Sequence, residues 1–225
     1  MRYSVKLMAA MSICAAAPAQ AALASFDFRC ISTGVAGACA VGQSQFAVDV
    51  TDVFFGALAG QVLFTFRNTG PAASSITDLY FDDGTLLGIA AVRNSTGTNF
   101  SQGASPGNLP DGQSMTPQFQ TTAGFSADSN PPTQPNGANP GEQIAVVFNT
   151  INGKTLFDVV AALNGQTVDQ NGAPALRIGL HAQGFANGDS ASFVSNPATV
   201  VPLPATAWLL LCGLGPMLAC LRRKG

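Results

Sequence analysis

The sequence predicts an all-β fold, a β-sandwich of jelly-roll type with one short helix, held between two apolar end segments that address the chain to a membrane. Three observations carry the prediction. Short runs rich in Val, Ile, Phe and Thr alternate with clusters of Gly, Pro, Asn and Ser, which is how strands joined by turns read. Only one internal stretch has apolar residues at helical spacing. Removing both ends from the 225 residues leaves residues 25–200, enough for one domain with a proper core.

The first element is a leader. Arg2 and Lys6 give a short positive segment, residues 7–17 an apolar core, and Ala19-Gln20-Ala21 or Ala22-Leu23-Ala24 a small-x-small cleavage site, so residues 1–24 read as a secretory signal peptide. Cys14 invites a lipoprotein reading, but Ile13 stands where that processing needs a small residue.

Cys30 and Cys39 are the two cysteines of the exported body; Cys14, Cys212 and Cys220 lie in the end segments. Two cysteines closing a short loop with Gly34 and Gly37, in an oxidising compartment, read as a disulfide. A metal site would need further ligands, and the only histidine, His181, is far along the chain. No metal and no cofactor are expected.

Residues 45–53 alternate, with Phe46, Val48 and Val50 on one face, and residues 61–68 set Val62, Phe64 and Phe66 against Leu63, Thr65 and Arg67. The second run ends in a turn at Asn68-Thr69-Gly70-Pro71. Residues 75–81 lead through Asp82-Asp83-Gly84 into residues 86–92, which predicts a hairpin. Further strands are expected at 118–123, 143–148, 175–183 and 190–194. Residues 101–117 and 126–141 carry seven prolines with many Gly and Asn, and read as long surface loops. Residues 157–163 place Phe157, Val160, Ala161 and Leu163 near helical spacing before Asn164-Gly165, and supply the one helix.

The chain closes on Val201-Pro202-Leu203-Pro204-Ala205, an apolar run, then Arg222-Arg223-Lys224 and Gly225. Each proline removes a backbone donor and restrains the residue before it, so the motif is an extended peptide suited to a protease cleft. Residues 205–221 hold no formal charge and would make a helix about 25 Å long, the short end of what spans a bilayer core. The basic triplet marks its cytoplasmic end. A plain membrane anchor would not require the proline pair.

This order of elements resembles the PEP-CTERM sorting signal of Gram-negative bacteria, in the variant reading Val-Pro-Leu-Pro-Ala, with Leu203 in place of the name-giving glutamate. The resemblance covers residues 201–225. It implies a substrate of exosortase, a membrane-embedded cysteine transpeptidase, exported by Sec-type machinery, anchored transiently in the inner membrane, and associated at the cell surface or outside it with exopolysaccharide and biofilm. The phrases VLFTFRNTGPAASSITDLYFDDGTLLGIA and LRIGLHAQGF, within 61–193, are similar to a body that recurs ahead of this tail; that similarity adds no catalytic residue.

Charge and chemistry agree. Of ten basic residues, Arg2, Lys6, Arg222, Arg223 and Lys224 lie in the end segments, while all twelve acids lie between them, so the body has a formal charge of −7. Such a surface disfavours nucleic acid and anionic lipid, which need clustered Lys and Arg. A serine hydrolase needs a base, and only His181 is offered, with no Gly-x-Ser-x-Gly turn to present a nucleophile. Strand alternation sets His181 beside Arg177 and Gln183 on a polar face, as an exposed histidine. Asp82 and Asp83 as strand neighbours point to opposite faces and read as part of a turn rather than a carboxylate pair. Asn94-Ser95-Thr96 and Asn99-Phe100-Ser101 match the N-glycosylation acceptor pattern, which arises often by chance. No catalytic residue emerges. The expected function is therefore a non-catalytic matrix or surface protein. The alternatives are a carbohydrate-binding module, against which stands a body whose only tyrosine is Tyr80 and whose one tryptophan, Trp208, lies in the tail, and a secreted hydrolase.

Overall fold

The alternating runs pair as a single antiparallel system. The structure, a computed structural model, describes residues 23–83 and 87–197. Its elements in chain order are β1 (Leu23–Cys30), α1 (Ala36–Gln45), β2 (Phe46–Thr51), β3 (Gln61–Asn68), β4 (Ser75–Asp83), β5 (Leu87–Asn94), β6 (Phe100–Gln102), β7 (Ser126–Ser129), α2 (Thr133–Asn136), β8 (Gln143–Thr150), α3 (Leu156–Leu163), β9 (Leu176–Gln183) and β10 (Ala191–Ser195). The ten strands hydrogen-bond in the order β5-β8-β3-β2-β1-β10-β9-β4-β7-β6. All strand pairs are antiparallel, so the described residues form an all-β fold with three α-helices.

The sheet folds over at β1. Residues Leu23 to Asp27 pair with β2, and Phe28 to Cys30 pair with β10. One half therefore runs from β5 to β1 and the other from β1 to β6. The two outer edges approach each other where Asn94 Nδ2 donates to the Phe100 carbonyl (3.0 Å) and the Phe100 N–H donates to Asn94 Oδ1 (2.6 Å), which leaves the sheet nearly closed.

Phenylalanines fill the space between the halves. Phe46, Val48, Val50, Val62, Phe64 and Phe66, the residues alternation assigns to one face, are all buried. Phe81 of β4 reaches across to Phe148 (4.7 Å between ring centroids), Phe64 (5.5 Å) and Phe66 (5.9 Å), largely edge to face. Such pairs add to the area term about 0.5–1.5 kcal/mol each. At the other end, Phe46 meets Phe193 at 5.3 Å, and Gly42 of α1 lies against both rings. A β-carbon at Gly42 would stand 2.2 Å from Phe193, so the helix approaches only because that residue has no side chain.

Several expectations are corrected. β4 and β5 do not form a hairpin: β4 lies between β9 and β7, while β5 is the edge beside β8. Asp82 and Asp83 accordingly are the last two residues of β4, and Gly84 lies outside the described residues. Residues 118–123 are not a strand but part of a strap, residues 103–125, that lies on the outer face of β4 and β9. The expected loops contain β6, β7 and α2. β1 and the helix α1 add to the expected set. Their signals are weak because α1 is built of Ala, Gly and Gln with almost no apolar face. The expected helix at 157–163 is α3, entered through Thr155, whose N–H and hydroxyl both donate to Asp158 (2.9 Å each).

Candidate functional site

The outer face of the second half carries a row of carboxyl, imidazole and hydroxyl side chains. Strand register aligns Ser192 with His181, His181 with Asp78, Asp78 with Asp128, and Asp128 with Ser101, one polar residue on each of β10, β9, β4, β7 and β6. Directly opposed residues project from the same face, so the five form a row across the sheet. A bulge at Thr77 sets the register of Asp78.

Inside the row, His181 Nδ1 lies 3.1 Å from Asp78 Oδ2, and the Thr77 hydroxyl donates to the same oxygen at 2.7 Å. His181 is thus largely buried and paired, not exposed as alternation alone suggests; its side chain is 14% accessible. Asp128 faces Asp78. Burial and the neighbouring Asp78 charge push the Asp128 carboxyl up to about 6, against the opposing pull of the Ser105 and Ser129 N–H groups. Burial, then Asp78 and Asp128, likewise drive the Tyr80 phenol upward. Ser192 is fully enclosed, and its hydroxyl has no hydrogen-bond partner among the described residues.

The strap is what buries this face. Leu109 and Phe119 pack on Tyr80 and Val194 as a second small core, and Gly179 leaves room for them, since a β-carbon there would stand 2.7 Å from Leu109. The Tyr80 hydroxyl donates to the Pro106 carbonyl (3.1 Å), and the Ala104 N–H to Ser126 Oγ (3.0 Å). Arg177 locks the far end: its guanidinium pairs with Asp82, donates to the carbonyls of Pro117 (2.8 Å) and Gln118, and lies 5.3 Å over the Phe119 ring. A cleft of about 220 Å³ opens beside this clamp, lined by Asp82, Gln120, Asp169, Asn171 and Arg177 among others. Nε, Nη1 and Nη2 of Arg177 each donate to a protein acceptor, which makes it a fastening rather than an anion receptor.

Chemically, the row has the elements of a serine–histidine–aspartate relay laid out sideways. It lacks the geometry of one: Ser192 Oγ makes no bond to His181, and no part of Ser192 reaches solvent. What the row does hold is a pair of neighbouring carboxyls, one of which keeps its proton to about pH 6.

Of the residues singled out from sequence, Cys30 and Cys39 are bonded to each other, with Cα atoms 5.3 Å apart, and fasten α1 to the end of β1. The sorting motif Val201, Pro202, Leu203, Pro204 and Ala205 and the basic Arg222, Arg223 and Lys224 lie outside the described residues. Sequence reasoning did not single out Asp78 or Asp128. A usable signal was present: Leu79-Tyr80-Phe81 breaks the alternation, as a strand covered on both faces does. Comparison with protein-family models, curated proteins and solved structures found no match.

Proposed function

We propose that this is an exported, non-catalytic surface or extracellular-matrix protein whose C-terminal tail is cut by an exosortase-type enzyme and which resides in or beside exopolysaccharide. The observation that carries the reading is the order of parts after residue 200: an extended proline-bracketed peptide, an uncharged stretch of 17 residues, and three consecutive basic residues, all behind an N-terminal leader. The Cys30–Cys39 bond supports it, because such bonds persist in oxidising compartments. The pairing of Leu23 with Thr51 and of Ala24 with Val50 supports cleavage after Ala21, since cleavage after Ala24 would remove two strand residues. The enclosure of Ser192 keeps that hydroxyl from serving as a nucleophile toward an external substrate.

We read the folded-over sheet as a β-sandwich of jelly-roll type. Successive strands β3, β4, β5 and β6 alternate between its halves, as do β8 and β9.

The test is a pair of substitutions. Pro202→Ala with Pro204→Ala should leave the precursor uncut in the inner membrane, heavier than the mature protein by the mass of its tail. A double variant that is trimmed and located like the wild type would replace the sorting signal by a plain anchor. Polysaccharide pull-down with the mature protein separates a matrix protein from a dedicated carbohydrate-binding module.

A further inference from the structure

The loop joining β2 to β3, residues 52–60, reads Asp52-Val53-Phe54-Phe55-Gly56-Ala57-Leu58-Ala59-Gly60. Connecting loops are ordinarily polar because they face water. Here Phe55 is 99% exposed and Leu58 70% exposed, with Val53 also in the open. A second apolar group stands beside them. Leu58 and Leu156 line one cleft of about 250 Å³ together with Lys154, and the next residue, Phe157, is 79% exposed. Leu23, paired with Thr51 at the start of this loop, is exposed as well. A set of large apolar side chains gathered at one end of a β fold marks a contact surface.

The course of the chain says what that surface meets. β10 runs antiparallel to β1, Ser195 pairs with Phe28, and the Asn196 N–H donates to the Asp27 carbonyl at 2.9 Å. The chain therefore leaves β10 heading toward Leu23 and the 52–60 loop. From Pro197 to Ala205, where the uncharged stretch begins, the backbone spans at most about 25–30 Å. Charge fits too: around the patch, Arg93 donates to the Phe55 carbonyl and lies 5.0 Å over the Phe54 ring, and Lys154 pairs with Asp158. Arg93 and Lys154 match Asp52 and Asp158, whereas the remainder of the body holds ten acids against three bases.

We infer that Val53, Phe55, Leu58 and Phe157 form a lipid-contacting end that seats the folded body on the bilayer interface while the C-terminal stretch remains attached. The inference rests on the proposed tail reading for the nearness of the bilayer. Apolar rings enter the headgroup and acyl boundary, with Arg93 and Lys154 at phosphate depth, as interfacial segments do. The body is then held with this end down and its sorting peptide close to the membrane surface, where a membrane-embedded protease works. Once the tail is cut, four side chains alone hold weakly, and the body departs.

The test uses the full chain in vesicles of phosphatidylcholine and phosphatidylglycerol, treated with a membrane-impermeant maleimide and read by peptide mass at each cysteine. Ala57→Cys reports on the patch, Ala186→Cys on the opposite end, and the natural Cys212 and Cys220 on the tail. The expected result is that Ala57→Cys reacts several-fold more slowly than Ala186→Cys, and that Phe55→Asp with Leu58→Asp restores its rate. Equal rates at both positions overturn the inference. If Cys212 and Cys220 are protected while Ala57→Cys is open, the patch fails and the tail reading stands; if the tail cysteines react while Ala57→Cys is shielded, the tail reading fails and lipid contact stands. Protection of Ala57→Cys that grows with the number of chains per vesicle would assign the patch to a second copy and overturn lipid contact.

Discussion

Asp128 stands against Asp78 in register, and its raised carboxyl makes a test at the scale of one residue. The folded value of about 6 lies above the ordinary 3.8. The fold therefore carries Asp128 best when it is protonated: the favourable contribution is complete below pH 4 and is lost as pH rises through 6. Asp78, Tyr80 and His181 are the titratable groups facing it. Asp128→Asn keeps the size and removes the charge, so it should raise the melting temperature above pH 7 by a few degrees at most and leave it unchanged at pH 4. Thermal denaturation of both proteins at the two pH values checks this, and an equal effect at both would show that the carboxyls do not interact. The disulfide was legible in the sequence because cysteine pairing is local, with partners only nine positions apart and no competing ligands. The row was not, because strand register between β4, β7, β9 and β10 is a tertiary fact that no single segment encodes.

Among the elements, β2 and β3 were readable from alternation because one face is buried and the other is half in water. β4 misled because the strap covers its outer face, so that Leu79, Tyr80 and Phe81 are all buried and the alternation is lost just before Asp82-Asp83. The strap itself resembles a loop in composition and a strand in its Phe119 and Gln118 segment, and its place depends on Arg177. Arg177→Met should leave Asp82 without its cation and cost about 3–5 kcal/mol, as removing one partner of a buried pair does. Limited proteolysis should then cut within residues 103–125 while fragments containing β3 and β8 stay intact; a strap that remains resistant would mean that Leu109 and Phe119 suffice to hold it. α1 depends on its own fastening. Loss of the Cys30–Cys39 bond should lower stability by roughly 2.5–3 kcal/mol in the chain-entropy account, measured as the shift in denaturation midpoint between oxidised and reduced protein. Free-thiol labelling of the unreduced protein should find neither cysteine.

For the whole molecule, the proposed reading joins a folded body to terminal segments that would carry the address. All-β architecture followed from the spacing of apolar runs, while the folding over at β1 did not, because one strand shared between two halves leaves no mark in composition. The sequence also concealed that residues Leu23 and Asn196 run toward one end of the fold, where the exposed Phe55 loop lies; only the pairing of β1 with β2 and β10 reveals it. A body whose first strand begins and whose last strand ends at one end of the fold suits the proposed holding against a membrane and later release. The most direct measurement is the intact mass of the mature protein, taken in parallel from the cell surface and from the culture medium. The account predicts a chain beginning at Ala22 and ending near Pro204, without residues 206–225 and with two hydrogens fewer for the Cys30–Cys39 bond. A mature protein that keeps its C-terminal Arg222-Arg223-Lys224-Gly225 would contradict it.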